Sequence, residues 1–307
     1  MPGVGVQCIM DKQIDEQMGR LRELAAQNGN GRLETGIPRV AMVQGAIPEH
    51  ELATVYQPMI NLILQGSKSM TVGEHTFDYD PATYFVMSVE LPAVGVIRAD
   101  AAGAPYMAVA LTLVPSILAD LIADLPPDCA ENRGGAFSVA AVTPELLDAW
   151  TRMLGLMARP GDIAALAPAY EREILYRVLQ GPHGAMLRAI AAPDSAMARL
   201  AAAIAWIRRD FSLPLRVEAL ADKAAMSVSA FHRHFKAATS LSPVQYQKRI
   251  RLMHARTLMV AKGSSVAAAA YDVGYESPTQ FSREYARLFG MAPQRDTARM
   301  LAHTRTA

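Results

Sequence analysis

The feature that most constrains this chain is an internal repeat in its last third. Phe231 matches Phe281, Arg233 matches Arg283, Phe235 matches Tyr285 and Pro243 matches Pro293, each pair 50 positions apart. Upstream the offset falls to 49, pairing Val217 with Val266, Ala221 with Ala270 and Met226 with Tyr275. Self-similarity at this period is the mark of one supersecondary unit used twice, and the one-residue change in offset places a turn inside each copy.

Each copy reads as two short helices around that turn. In the first, Val217, Leu220, Ala221 and Ala224 fall at helical spacing, Ser227 and Ser229 are N-cap residues, and Phe231 and Phe235 stand four apart on the next helix. In the second, Val266, Ala269, Ala270 and Val273 make the first helix, and Gly274 ends it, where a left-handed backbone costs a glycine least. Ser277 and Pro278 then open a helix buried through Phe281, Tyr285 and Leu288, proline being well tolerated at a first helical position. The alanine pairs let the following helix approach closely, as a helix-turn-helix requires. Between the copies, Pro243 to about Ala261 predicts one long helix, with Tyr246, Ile250, Met253 and Leu258 on an apolar side and Lys248, Arg249, Arg251 and Arg256 elsewhere.

Once the buried faces are subtracted, each second helix presents short polar groups near its start and arginines one to two turns on. In the first copy these are Ser229, Ala230, His232, Arg233 and Lys236; in the second, Ser277, Pro278, Thr279, Gln280, Ser282, Arg283 and Arg287. An α-helix fits the major groove, where arginine forks onto guanine, glutamine onto adenine, and serine or threonine reaches bases or phosphates. The charge distribution agrees. Residues 1–194 hold 13 Lys+Arg against 22 Asp+Glu, a net −9, whereas residues 195–307 hold 17 against 7, a net +10. A basic block of that size is the footprint of a polyanion binder, and the basic residues of the long helix are expected to touch phosphates, which give affinity without sequence. The opposed signs raise one further expectation, that the acidic half shields the basic half in the absence of a ligand.

Residues 199 to about 296 resemble the DNA-binding domain of the AraC/XylS family of bacterial transcription regulators, two helix-turn-helix units joined by a long helix. The run Ala269-Ala270-Tyr271-Asp272-Val273-Gly274-Tyr275-Glu276-Ser277-Pro278-Thr279-Gln280-Phe281-Ser282-Arg283-Glu284-Tyr285, with Leu288-Phe289-Gly290-Met291-Ala292-Pro293 after it, carries that resemblance. Tyr285-Ala286 stands where the family usually has Phe-Lys, Arg295-Asp296 lies near where Tyr-Arg commonly follows the last proline, and Ala225 and Ser240 occupy places where glycine is common.

The first half has a different texture. Pro58 to Gln65, Ser69 to Val72, Thr76 to Tyr79, Tyr84 to Val89 and Val94 to Ala99 are short and rich in β-branched and aromatic residues, punctuated by Gly66, Gly73 and Asp80-Pro81. They predict a β-barrel or sandwich within residues 39–114. Helical patterns follow over Pro115 to Leu125, Pro144 to Met157, Pro168 to Gln180 and Gly184 to Ala191. This half resembles the N-terminal domain of one AraC-type subgroup, a cupin-like barrel followed by helices. The match lies in Tyr56-Gln57-Pro58, Leu64-Gln65-Gly66, Asp80-Pro81, Ser88-Val89-Glu90-Leu91-Pro92 and Ile174 to Gly184. The resemblance implies an effector-responsive module that also mediates dimer contacts.

The chain is therefore expected to be α+β: a partly helical segment over 1–35, an effector-sensing and dimerisation domain over 36–192 with its barrel ending near 114, and an all-α DNA-binding domain over 195–307. Inside an apolar barrel, Gln65, Tyr79, Tyr84, Ser88, Glu90 and Arg98 are the polar candidates for effector contact. A metal-dependent oxygenase needs several converging histidines and a carboxylate; this half offers only His50, His75 and His183 with no HxH pair, so no metal, cofactor or enzymatic activity is expected. Cys8 and Cys129 cannot make a disulfide framework, which fits a reducing compartment, and a redox or electrophile-sensing role for either stays open. The first thirty residues lack a basic start followed by an apolar run, and no window of about 18 uncharged apolar residues occurs. A cytoplasmic, nucleoid-associated protein is expected, a transcription regulator and, by family resemblance, an activator. Its partners would be double-stranded promoter DNA, a small effector, RNA polymerase and a second copy of itself, and no membrane. A cupin-type metalloenzyme tethered to DNA and a non-specific architectural DNA binder are the competing readings.

Overall fold

Short β-branched strands followed by helices cannot share one layer, because a sheet buries a face and a helix a stripe. The computed structural model describes residues 4–26, 31–45, 47, 52–126 and 136–304. Helix α1 (Val4–Ala25) leads into β1 (Gly31–Glu34), β2 (Val40–Gln44), β3 (Ala53–Tyr56), β4 (Met59–Gln65), β5 (Ser67–Val72), β6 (His75–Tyr79), β7 (Thr83–Met87), β8 (Leu91–Arg98) and β9 (Met107–Thr112). Then come α2 (Pro115–Ala123), β10 (Phe137–Ala141), α3 (Pro144–Gly155), α4 (Ile163–Leu179) and α5 (Gly184–Ala191). The strands form two antiparallel sheets, β1-β2-β9-β4-β7-β10 and β3-β8-β5-β6. Aromatic rings meet across the gap between them, Phe77 with Phe137 at 4.3 Å and Tyr79 with Phe85 at 4.9 Å.

Strand β4 reads as an unbroken apolar run because both its faces are covered. Ile60, Leu62 and Leu64 join a core shared with Trp150 and Leu147 of α3 and Ile174 and Val178 of α4, whereas Ile63 turns into the layer between the sheets. A bidentate pair seals the helix layer: Arg39 donates from Nε to Glu171 Oε1 at 2.8 Å and from Nη2 to the other oxygen, and Glu171 is 4% exposed.

Three expectations need correction. The barrel does not end near residue 114: β10 pairs with β7, Phe137 opposite Met87, in the gap between the helices expected over Pro115 to Leu125 and Pro144 to Met157. The segment before residue 36 is not a separate unit, since β1 pairs with β2 and Met18 and Leu21 of α1 lie in the helix-layer core. Helix α4 begins at Ile163 and contains Pro168, because burial of Ile163, Leu166 and Ala167 against that core outweighs the start signal. His50 and Cys129 lie outside the described residues. Among the described residues no single helix is long and apolar enough to cross a membrane.

The repeated half is α6 (Ala196–Arg209), α7 (Val217–Lys223), α8 (Val228–Thr239), α9 (Pro243–Ala261), α10 (Val266–Asp272), α11 (Pro278–Phe289) and α12 (Pro293–Thr304). Ser227, Ser242, Ser265 and Ser277 cap α8, α9, α10 and α11, each accepting a backbone N–H with its hydroxyl. The symmetry reaches the backbone. Gly274 (φ 86°) and Gly290 (φ 73°) end the two helices of the second copy in the left-handed region, and the first copy holds Ala225 (φ 49°) and Ser240 (φ 58°) there. A Cβ strains that backbone, so Ala225→Gly is expected to raise stability by about 0.5–1 kcal/mol after the entropy a glycine loses is counted, read as a higher urea midpoint.

Helix α12 is locked by a buried carboxylate. Asp296, fully buried, accepts from Arg256 Nε at 2.9 Å, from the Tyr285 hydroxyl at 2.8 Å and from Arg299 Nη2 at 3.0 Å. Removing one partner of a buried pair leaves the other charge unpaired, so Asp296→Ala should cost about 3–5 kcal/mol in equilibrium unfolding, with the second helix-turn-helix losing amide protection first.

Candidate nucleic-acid interface and sensor barrel

The two recognition helices are built alike. On α8, Phe231 and Phe235 are fully buried with ring centroids 5.5 Å apart, and Tyr246 of α9 meets Phe235 edge-on at 5.4 Å. On α11, Phe281 and Tyr285 repeat the pair at 5.5 Å, and Tyr275 supplies the edge-on ring at 5.3 Å. With those faces inward, Ser229, His232, Arg233 and Lys236 of α8 are exposed, as are Thr279, Gln280, Arg283 and Arg287 of α11. Ala230, Ser277, Pro278 and Ser282 are only half-exposed. The Ser277 hydroxyl accepts from the Gln280 N–H at 3.3 Å and that of Ser282 donates to the Pro278 carbonyl at 2.8 Å, so both are engaged with their own helix.

One residue that sequence reasoning passed over governs Gln280. Glu284 accepts from Lys248 Nζ at 2.8 Å, the Tyr275 hydroxyl at 2.8 Å and Gln280 Nε2 at 3.2 Å. Burial pushes its carboxyl up, but the hydrogen bonds from Lys248, Gln280 and Tyr275 outweigh this and hold it below the usual carboxylate range. Gln280 is thus oriented by Glu284 one turn along the same helix.

The basic residues of α9 are placed differently from the phosphate role expected of them. Lys248 pairs with Glu284, and Arg256 with Asp296. Arg249 donates to the Gly73 carbonyl at 3.1 Å. Arg251 donates to the carbonyls of Phe211 at 2.7 Å, Ser212 at 3.1 Å, Leu213 at 2.9 Å and Gly274 at 2.9 Å. The reason is local: α9 runs through the middle of the repeat, where Lys248 and Arg256 meet carboxylates and Arg249 and Arg251 meet backbone carbonyls of neighbouring turns.

The two halves of the chain meet at the first helix-turn-helix. The Tyr246 hydroxyl donates to the Glu90 carbonyl at 2.7 Å, Arg208 pairs with the Glu90 carboxylate, and the Ala136 N–H donates to the Ala238 carbonyl at 3.3 Å. The β5–β6 turn abuts the end of α8 so closely that a Cβ on Gly73 would lie 2.9 Å from the Ser240 carbonyl oxygen. By contrast a cleft of about 450 Å³, lined by Val94, Ile97, Leu288 and Phe289 with Arg256 and Arg299, separates β8 from the second copy.

The effector candidates do not converge. Tyr79 packs between the sheets, 3% exposed. Gln65 Nε2 donates to the Pro105 carbonyl at 2.8 Å and the Ser88 hydroxyl to that of Ala136 at 3.3 Å. Tyr84 faces the helix layer, edge-on to His183 at 5.0 Å. Glu90 belongs to the contact between the halves, and Arg98 is exposed, donating to Ser69 Oγ at 2.8 Å. Strand alternation explains the scatter, since neighbours in sequence point to opposite faces. Among the described residues no group of three or more His, Cys, Asp or Glu is placed to hold a metal ion.

Comparison with known proteins agrees with this two-part construction. Residues 36–186 match the family model described as the AraC-type transcriptional regulator N-terminus, and residues 220–299 match a helix-turn-helix domain. The HTH-type transcriptional activators RhaS of Salmonella schwarzengrund and Salmonella typhimurium are each 31% identical over 156 residues, 50% of this chain and 55% of theirs. The chain thus spans about half the length of the curated relatives it matches. ToxT of Vibrio cholerae shares the fold. An apo form gives a TM-score of 0.53 at 12% identity over 90% of this chain and 100% of that one. A form bound to an unsaturated fatty acid gives 0.54 at 11% over 89% and 96%. With both of its parts matched in order, the chain belongs to the AraC/XylS family of transcriptional regulators.

Proposed function

We propose that this chain is a sequence-specific DNA-binding transcription regulator whose N-terminal barrel senses a small molecule. The observation that carries the reading is the pair of serine-capped recognition helices, each with an exposed arginine at the matching position, Arg233 and Arg283. They flank a 19-residue helix, which at about 1.5 Å per residue is roughly 28 Å long. Adjacent major-groove faces of one duplex lie about 34 Å apart, so a single chain reaches two of them. Exposed Arg233 and Arg283 are the base readers, with Ser229, His232, Thr279 and Gln280 setting sequence choice. Lys236 and Arg287, further along the helices, contact phosphates.

The sensor assignment is supported by the matched N-terminal family model and by the ToxT fold, solved with a fatty acid in one of its forms. Activation is supported by the RhaS relatives, which are named activators. This reading calls for RNA polymerase and a second copy of the chain as protein partners, at the bacterial nucleoid.

Footprinting on the intergenic regions beside the chain's own gene, at physiological salt with excess competitor, tests the assignment. Protection of two adjacent major-groove faces one turn apart is the expected result; uniform coating without a boundary contradicts it. On a site so found, Arg233→Ala and Arg283→Ala should each weaken binding by about 1–3 kcal/mol and relax base preference at one position, while Lys236→Ala weakens all sequences alike. Parent-like binding by both arginine variants would remove these residues from the interface.

A further inference from the structure

A glutamine amide carries an acceptor and two donors that exchange places when it turns over, so a free glutamine can bond to either purine in the major groove. It distinguishes them only when something fixes which end is which. Gln280 stands in the first turn of α11, its backbone N–H on the Ser277 hydroxyl at 3.3 Å, at the end of a recognition helix that meets base edges. Its side chain is exposed, and Nε2 donates to Glu284 Oε1 at 3.2 Å. Glu284 is held from two other elements. Lys248 Nζ of α9 donates to Oε1 at 2.8 Å, and the Tyr275 hydroxyl, from the turn before α11, donates to Oε2 at 2.8 Å. Tyr275 is itself buried, edge-on to Phe281 at 5.3 Å, with the Arg251 guanidinium 5.9 Å from its ring centre.

An ionised carboxylate only accepts. The Gln280 amide must therefore meet Glu284 with its nitrogen, which leaves Oε1 and the second N–H for the groove. One acceptor beside one donor matches the N6 amino group and N7 of adenine, whereas guanine sets its O6 acceptor against Oε1 and thymine its O4. Both oxygens of Glu284 are engaged, so it is no base reader of its own, and Lys248 offsets a charge that would otherwise repel phosphates. Fifty positions earlier, Ala230 and His234 stand in place of Gln280 and Glu284, so the first copy cannot make this arrangement.

We propose that Glu284 is a positioning residue that makes Gln280 an adenine reader, rejecting guanine at one base pair of the half-site under the second helix-turn-helix. This rests on the regulator reading above and names one base in its site. The demand falls on one half-site alone, and so fixes which way round the chain lies on the duplex.

Binding of the full chain to a duplex library randomised across two helical turns, at physiological salt with sequencing of the bound fraction, tests it. The position concerned is the one where Gln280→Ala loses base preference, and there the parent should favour adenine over guanine about tenfold. Glu284→Ala frees the amide to turn over and should bring the two purines within about twofold at that position, with preferences elsewhere unchanged. Glu284→Gln has the same shape and serves if the alanine variant does not fold, since a neutral amide there can donate or accept and no longer dictates the orientation. The base ratio is the readout, because a merely structural loss, or the removed negative charge, changes affinity for all sequences alike. A parent-like adenine-to-guanine ratio in both Glu284 variants, guanine or thymine preferred by the parent at that position, or a site that Gln280→Ala leaves unaltered would overturn the proposal while the regulator reading stands. A parent that enriches no sequence at all sinks both.

Discussion

The DNA-binding half depends on cations turned inward. Helix α9 crosses the middle of the repeat, and the loop after α6 and the turn after α10 leave backbone carbonyls pointing at it. Arg251 alone accounts for four of them, from Phe211, Ser212, Leu213 and Gly274, and Gln247 adds further bonds to Phe211 and Leu213. Replacing Arg251 by a hydrophobe would leave the part-buried Ser212 and Gly274 carbonyls without this donor, a loss that apolar packing does not offset. The +10 of this half therefore overstates what faces DNA. Part of its positive charge is structural; Arg233 and Lys236 on α8 and Arg283 and Arg287 on α11 are exposed, as are Arg209, Arg216, Lys223, Lys262 and Arg295 elsewhere.

That inward use of charge also sets how the two halves engage each other. The expectation of an acidic sensor shielding a basic reader supposes a broad electrostatic face, screened beyond about 10 Å by salt. The structure has a short-range seam instead: Glu90 bound through its carboxylate to Arg208 and through its carbonyl to Tyr246, with Arg249 on Gly73. All of it lies beside the first helix-turn-helix, on α6 and the first half of α9, whereas the second helix-turn-helix faces the barrel across a cleft. A change in the β3-β8-β5-β6 sheet thus reaches one recognition helix directly and the other through the rigid α9.

What the sequence made legible divides by the range of the forces involved. Helix caps, the turn at Gly274 and the amphipathic faces of α8 and α11 are local, and their residues could be named from spacing alone; α9 keeps the limits read for it, Pro243–Ala261. Strand β10 was illegible because Phe137–Ala141 is a five-residue run whose pairing strand, β7, lies some 50 residues earlier. Tyr84 and Tyr79 look equivalent as tyrosines flanking one turn, yet register sends one to the helix layer and the other between the sheets. Lys68 of β5, 7% exposed with its Nζ over the Tyr56 ring, escaped notice because a lysine in a strand ordinarily marks a solvent face.

The repeat itself shows where selection for sequence symmetry stops and packing takes over. Both copies keep an aromatic pair, the serine cap and the arginine, since these are fixed within one helix. They diverge at positions governed by neighbours outside the copy: Gly274 is required where a Cβ would collide with the Ser212 carbonyl oxygen at 2.1 Å, and Ala225 survives at the matching turn with a strained backbone. Glu284 follows the same rule. Its counterpart 50 positions earlier is His234, and the first copy has Met226 where Tyr275 donates to Glu284 in the second. The two recognition helices are thus alike in their matched arginine and aromatic pair and unlike in the contacts that hold them.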